Sequence, residues 1–236
     1  MIEMRILLAL AIACLACGLH AEPLPQRIDA SYDILKQDIK LAEVNETFER
    51  KDGRYRIVSV TKPVGLLALF QPETIVVTSE GEVTEQGLLP QHFTHRRTRN
   101  TEKNSSADFD WERNELTLSN QDGIKLLALQ PFTQDRLSMM YQFVVQPPHS
   151  RLELRFDMTN GHKVDEYRYQ LNPAQTVQVP FGNLRSYYLY TQPQKTQWKS
   201  EIWLAIDHGY VPCKVVVTED DGAQLVQVLR KLNMVP

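Results

Sequence analysis

The sequence is poor in cysteine, and its three cysteines are unevenly placed. Cys14 and Cys17 lie within the first seventeen residues, whereas Cys213 stands alone near the other end of the 236-residue chain. If the N-terminal segment is removed, one thiol remains and no intramolecular disulfide can form, even in an oxidising compartment. Stability must then come from an apolar core, for which the chain is long enough.

The chain also lacks an excess of charge of either sign. Lys and Arg together number 26 against 29 Asp and Glu, a formal net charge of −3, so no overall field draws the protein to nucleic acid or to an anionic membrane surface. The sequence has no glycine-rich phosphate loop, no GxSxG elbow and no CxxC pair. We therefore expect no nucleic-acid partner and no cofactor.

Long hydrophobic runs are missing except at the N-terminus. The apolar stretch of residues 6–19 is too short to span a membrane stably, and its flanks are those of a secretory signal peptide. We predict a signal peptide over residues 1–21, which leaves residues 22–236 as a single exported domain without a transmembrane segment. Lipid anchoring through Cys17 is the alternative, although Cys14 occupies the position where a lipobox has leucine.

What the sequence has in abundance is strand-like alternation of apolar and polar residues, broken at short intervals by turn signals. Asp122-Gly123 and Asn160-Gly161 are the clearest hairpin turns, and Ser79-Glu80-Gly81 indicates another. The pattern predicts a mainly β protein with an antiparallel sheet of ten or more strands. The predicted strands cover residues 29–36, 40–50, 54–60, 74–78, 108–111, 116–119, 151–158, 163–171, 176–179, 186–190, 201–206, 211–219 and 223–229.

Two segments interrupt the alternation. Residues 133–145 place Leu137, Met140, Tyr141 and Val144 at helical spacing, with a threonine as N-cap and two prolines beyond the end, which predicts a short helix lying on the sheet. The apolar segment 62–72 is bounded by prolines and interrupted by a glycine. It is consistent with either a helical turn or an apolar loop.

Cys213 is the only residue of the predicted domain with the chemistry of a strong nucleophile, and His208 lies close to it in sequence. The residues around the cysteine are β-branched, however, and place it within a strand. His208 falls on a turn between two strands, several residues from the thiol along the sheet. We therefore predict that Cys213 is a small buried residue of the core and not a catalytic group.

Four segments in a fixed order resemble an exported bacterial family, the domain of unknown function 3108. They are 109-FDW-111, 135-DRLSMMYQF-143, 180-PFGNLRSYYLY-190 and 202-IWLAIDHGYVPCKV-215, followed by a closing Asp-Gly hairpin. The resemblance extends over most of the chain and implies a periplasmic β-rich domain, with no catalytic residue to transfer. By analogy of fold it also implies a large curved antiparallel sheet, or open half-barrel, with one short helix packed on it.

Few other residues suggest chemistry. His92 and His95 have the spacing of helical metal ligands but fall in strand-like sequence, where they would face opposite sides, so we expect no metal site. The basic run at residues 95–100 resembles a solvated hairpin more than a phosphate site. Asp108, Asp110 and Glu112 alternate so that all three would project from one face of a strand, which raises the hypothesis of a glycan hydrolase, although exposed acids at a hairpin are far more common.

Three functions remain open from the sequence. The preferred hypothesis is a non-catalytic binding or carrier module for an apolar, lipid-like ligand of the cell envelope. The second is an envelope assembly protein that docks a protein partner through a sheet edge, and the third is the glycan hydrolase. The residues predicted to line a ligand site are Leu66, Leu67, Phe70, Met139, Met140, Phe143 and Trp203.

Overall fold

The computed structural model describes residues 24–148, 153–191 and 199–236, and within them the protein is one 15-stranded sheet with two helices. The predicted signal peptide and Cys17 lie outside the described residues. The strands are β1 (Arg27–Lys36), β2 (Ile39–Lys51), β3 (Arg54–Pro63), β4 (Ile75–Thr84), β5 (Gly87–Arg97), β6 (Ser105–Asp110), β7 (Glu115–Asn120), β8 (Gly123–Ala128), β9 (Gln134–Asp135), β10 (Glu153–Thr159), β11 (Val164–Val179), β12 (Gly182–Thr191), β13 (Lys199–Ala205), β14 (Val211–Thr218) and β15 (Gln224–Val235). The prediction of a mainly β fold is confirmed.

The first and last strands meet in the middle of the sheet. The strand order is β8-β7-β6-β5-β4-β3-β2-β1-β15-β14-β13-β12-β11-β10-β9. All neighbours are antiparallel except β9 and β10, which are parallel. The backbone N–H of Gln26 also donates to the carbonyl of Val235 over 2.8 Å. The two halves of the chain are therefore joined by the pairing of β1 with β15.

The sheet curves around helix α2 (Ser138–Val145), which contacts both β5 and β14 from the concave side. Met139 and Tyr141 of this helix are fully buried, and Phe143 is nearly so. The shorter helix α1 (Gly65–Phe70) joins β3 to β4 at one end of the sheet, here called the α1 end, and has no buried residue. The apolar segment between the two prolines thus forms a helical turn.

The predicted turn at Ser79-Glu80-Gly81 is wrong, because β4 continues through it to Thr84. The glycine marks an irregularity in the pairing of β4 with β5, between Glu80 and Gly81. A Cβ atom at Gly81 would lie 2.1 Å from the carbonyl oxygen of Leu89. Glycine is therefore required here by the close approach of two backbones, and not by a turn.

The predicted helix start at Thr133 is also wrong. Residues 134 and 135 form β9, and the helix begins at Ser138. The carboxylate of Asp135 accepts the backbone N–H groups of Leu137 and Ser138, both over 2.8 Å. Asp135 satisfies the first free donors of the helix, the role for which a threonine was predicted.

Burial on the concave face of β3, β4 and β5 falls toward the α1 end. One cross-strand row, Phe48, Ile57, Ser79, Phe93, Ala107 and Leu118, is almost completely buried. The next row, two residues closer to α1, runs Glu46, Ser59, Val77, His95 and Ser105, and is buried but largely polar. The third runs Val44, Thr61, Ile75 and Arg97, of which the last three are only half-buried. The interior is therefore filled at one end and open at the other.

No helix in the three described ranges is long and apolar enough to cross a lipid bilayer.

Candidate ligand-binding site at the α1 end

Helix α1 presents large apolar side chains to water. Leu66, Leu69 and Phe70 are 74%, 76% and 81% exposed. Ile39, on the neighbouring turn between β1 and β2, is 64% exposed. Such a group of exposed apolar side chains is a candidate interaction surface, because contact with a binding partner would remove it from water.

The concave face beneath this end carries a buried polar network centred on Glu46. The carboxylate accepts a hydrogen bond from Ser59 Oγ over 3.0 Å and one from the Tyr141 hydroxyl over 3.1 Å. Burial raises the pKa of the Glu46 carboxyl, and the two hydroxyl donors oppose that rise. The alternating sequence of β2, with a glutamate between Val44 and Phe48 on the apolar face, was the signal that could have identified this residue.

A second network surrounds Asp135. Ser79 Oγ donates to its carboxylate over 2.6 Å, and the Tyr55 hydroxyl lies 3.0 Å from the same serine oxygen. Since the serine hydrogen is directed at Asp135, Tyr55 is the donor in the second bond. Burial raises the pKa of Asp135, opposed by the bonds from Ser79 and from the start of α2. These bonds fix the position of α2 within the sheet.

Arg136 lies between β9 and α2. Its residue surface is exposed, yet desolvation by the surrounding protein lowers the pKa of its guanidinium. Its backbone N–H donates to the carbonyl of Thr159 over 3.0 Å, which fixes it between β10 and the concave face.

Two basic residues of β5 lie near Arg136. Burial lowers the pKa of His95 to about 4, and the positive charges of Arg136, Arg97 and His162 lower it further. Arg97 is paired with Glu73, whose carboxylate lies 2.8 Å from its guanidinium. His95 is therefore neutral at pH 7, and Arg97 is held by its ion pair with Glu73.

The predicted site residues fall into three places. Leu66, Leu67 and Phe70 belong to α1, of which the first and last are exposed. Met139 and Phe143 lie in the core, packed with residues of β10 to β13, and Met140 beside them is half-buried. Trp203 lies on the opposite face of β13 from the buried Ile202 and Leu204, in contact with Tyr188 and Lys214.

Cys213 is a buried residue of β14, as predicted. Its side chain is 0% exposed, and Sγ donates to the carbonyl of Trp203 over 3.3 Å. Burial raises the pKa of the thiol to about 12. His208 lies instead against Phe181, with ring centroids 5.3 Å apart. The pair does not have the arrangement of a nucleophile and its base.

The histidines and acids considered above as metal ligands or catalytic groups do not form one site. His92 and His95 face opposite sides of β5, as predicted, and His92 is paired on the outer face with Asp108. Asp110 accepts the backbone N–H of Arg113 over 2.9 Å. Among the described residues, no group of three or more His, Cys, Asp or Glu side chains is arranged to hold a metal ion.

An open, curved antiparallel sheet around one internal helix, with exposed apolar side chains at the α1 end, defines a mainly β class of protein. Residues 27–230 match the model of the family described as protein of unknown function (DUF3108). The chain belongs to this family, as its motifs indicated. No curated protein matches the sequence.

One solved structure supports the fold. A beta-barrel-like protein of the domain of unknown function DUF1849 from Brucella abortus aligns with a TM-score of 0.57 and 11% sequence identity. The alignment covers 89% of this chain and 98% of that one. MucB in complex with MucA(peri) aligns with a TM-score of only 0.16 and 10% identity, over 89% and 94% of the two chains. The first likeness establishes a shared architecture at the level of fold alone.

Proposed function

We propose that this protein is an exported, periplasmic binding module without catalytic activity, and that it takes up an amphiphilic, lipid-like ligand at the α1 end. The observation that carries the proposal is α1 itself. This six-residue helix has no buried residue, and three large apolar side chains point into water. Its apolar surface contributes little to the core, so its use lies in binding.

The concave face supports the same proposal. Beneath α1 the side chains of Thr61 and Ile75 are half-buried, beside the buried Val44. Ligand sites of this class are mostly apolar with a few polar groups that orient the ligand. An acyl chain lying from α1 into this face would remove apolar surface from water on both sides, which contributes roughly 25 cal/mol per Å².

A second function is favoured by β8. All six of its residues are exposed, including Ile124 and Leu126, and it forms one edge of the sheet. An exposed apolar edge strand offers unpaired backbone groups to another chain. Docking of a protein partner by strand addition is therefore the alternative use of this molecule.

The test of the proposed function is native mass spectrometry of the protein purified from the periplasm without detergent, followed by solvent extraction. We expect an added mass that extraction identifies as an amphiphile. The triple variant Leu66→Ser, Leu69→Ser, Phe70→Ser should fold normally, because these side chains are exposed, and should lose that mass.

The matched control changes exposed apolar residues elsewhere. The double variant Ile124→Ser, Leu126→Ser on β8 should keep the ligand. A wild-type protein without added mass, or a ligand that survives the α1 substitutions, would overturn the proposal. A partner protein that accompanies the wild type and is lost from the β8 variant would favour strand addition instead.

A further inference from the structure

We propose that a polar cavity, located where β5 and β7 end and β6 begins, binds an uncharged sugar unit of a glycan. The cavity has a volume of about 400 Å³, near the lower end of the range for small-molecule sites. Residues of the loop between β5 and β6 line one side, and residues at the turn between β7 and β8 line another. The inference goes beyond the proposed function, and either can fail without the other.

The floor of the cavity consists of hydroxyl groups. Thr94, Ser106 and Ser119 lie directly opposite one another on β5, β6 and β7, on the outer face of the sheet. A hydroxyl donates one hydrogen bond and accepts two, and it rotates to suit the group that it meets. Three such groups on strands about 4.8 Å apart suit a ligand that carries several hydroxyl groups itself.

The rest of the lining is polar and has no excess of charge. It comprises hydroxyls, amides, one imidazole and one charge of each sign, on Thr101, Ser105, Asn104, Asn120, Gln121, His95, Arg96 and Glu102. His95 is neutral at pH 7, because burial and nearby cations lower its pKa to about 4. Apolar ligands need apolar walls, and a strongly charged ligand needs an excess of the opposite charge. An uncharged ligand rich in hydroxyl groups therefore fits this lining best.

The sides of the cavity are fixed by the protein itself. Asn104 Oδ1 accepts the backbone N–H of Arg97 over 2.7 Å, and Asn120 Oδ1 accepts that of Asp122 over 2.8 Å. Since these bonds engage the amide oxygens, the amide NH₂ groups remain as donors. A site whose amides are already oriented loses little conformational freedom when a ligand binds.

The test is titration of the purified protein with methyl glucoside, followed by two-dimensional ¹⁵N–¹H NMR. Because neutral hydrogen bonds contribute little net free energy in water, we expect a dissociation constant of roughly 1 mM. The shifted amides should belong to residues 94–106 and 119–121. Glucuronate should bind no more tightly, since the lining has no excess positive charge. Glycerol should bind about fivefold more weakly or less, because it offers fewer hydroxyl groups and holds them less rigidly.

Two variants of the cavity have a matched control. Ser119→Val removes one hydroxyl from the floor and should weaken methyl glucoside binding about fivefold, while valine suits a strand. Thr117→Val makes the same kind of change on the outer face of β7 but outside the cavity, and should bind as the wild type does. Should Ser119→Val not fold, Gln121→Ala in the exposed turn should show the loss instead.

Several outcomes would overturn the inference. They are the absence of shifts at the lining amides, tighter binding of glucuronate, equal binding of glycerol, and unchanged affinity in the cavity variant that folds. Hexyl glucoside distinguishes two sources of the sugar, both of which agree with the inference. A tail that raises the affinity indicates a glycolipid, and equal affinity for the two glucosides indicates a free saccharide.

Discussion

At the residue scale, the interior of this protein contains polar groups whose pKa values are shifted by burial. Glu46 interrupts the apolar face of β2, and His95 interrupts that of β5. Alternation in the sequence was sufficient to place both side chains on the concave face. It could not show that Ser59 and Tyr141 would meet Glu46, because Tyr141 is 95 residues away in sequence and only the curvature of the sheet brings it there.

His95 predicts a measurable pH dependence of stability. Burial and the charges of Arg136, Arg97 and His162 lower its pKa to about 4, against about 6.5 in an unfolded chain. Between these values the unfolded state binds a proton that the folded state does not, so acidification favours unfolding. His95 alone would then cost up to about 3 kcal/mol between pH 6.5 and pH 4. The buried carboxyls of Glu46 and Asp135, with raised pKa values, act in the opposite direction.

The measurement is urea unfolding at several pH values. His95→Gln should lose less stability than the wild type as the pH falls from 6.5 to 4. His92→Gln, on the outer face of the same strand, should follow the wild type. An unchanged slope for His95→Gln would mean that the imidazole is protonated in the folded state.

At the scale of elements, local signals in the sequence predict local structure. Asn160-Gly161 and Asp122-Gly123 lie at the hairpin turns where their conformational freedom is needed. The errors in the predicted elements come from contacts between residues that are far apart in the sequence. Gly81 suggested a turn because nothing nearby in sequence reveals the approach of Leu89, and the pairing of β9 with β10 displaced the predicted start of α2.

We expect one face of helix α2 to contribute more to the free energy of unfolding than the other face does. Met139 is fully buried among Leu154, Tyr169 and Leu189, whereas Met140 is half-buried. Met139→Ala removes a side chain from a packed core and should lower the free energy of unfolding by about 2–4 kcal/mol. Met140→Ala should cost less than half as much, since water already reaches part of its side chain. Equilibrium urea unfolding of the two variants, with unchanged m-values, tests this difference, and equal losses would contradict it.

At the scale of the whole molecule, the sequence predicted the class of fold but not the order of its strands. Hairpins between consecutive strands follow from short turns, whereas the pairing of β1 with β15 joins residues about two hundred positions apart. This pairing lies in the middle of the sheet, so the described chain ends lie side by side. The pairing also brings the two halves of the chain around α2, which contacts β5 in one half and β14 in the other.

This arrangement predicts how the chain can be rearranged. A circular permutant that joins residue 236 to residue 24 by a short flexible linker keeps the pairing of β1 with β15. Opened between Gln121 and Asp122, in the exposed turn before β8, it should unfold cooperatively and melt within a few degrees of the parent. Opened instead between Asp135 and Arg136, it should fail to fold, because the cut separates the carboxylate of Asp135 from the helix it holds. Thermal unfolding followed by circular dichroism compares the two, and a stable second permutant would show that α2 docks without the contacts of Asp135.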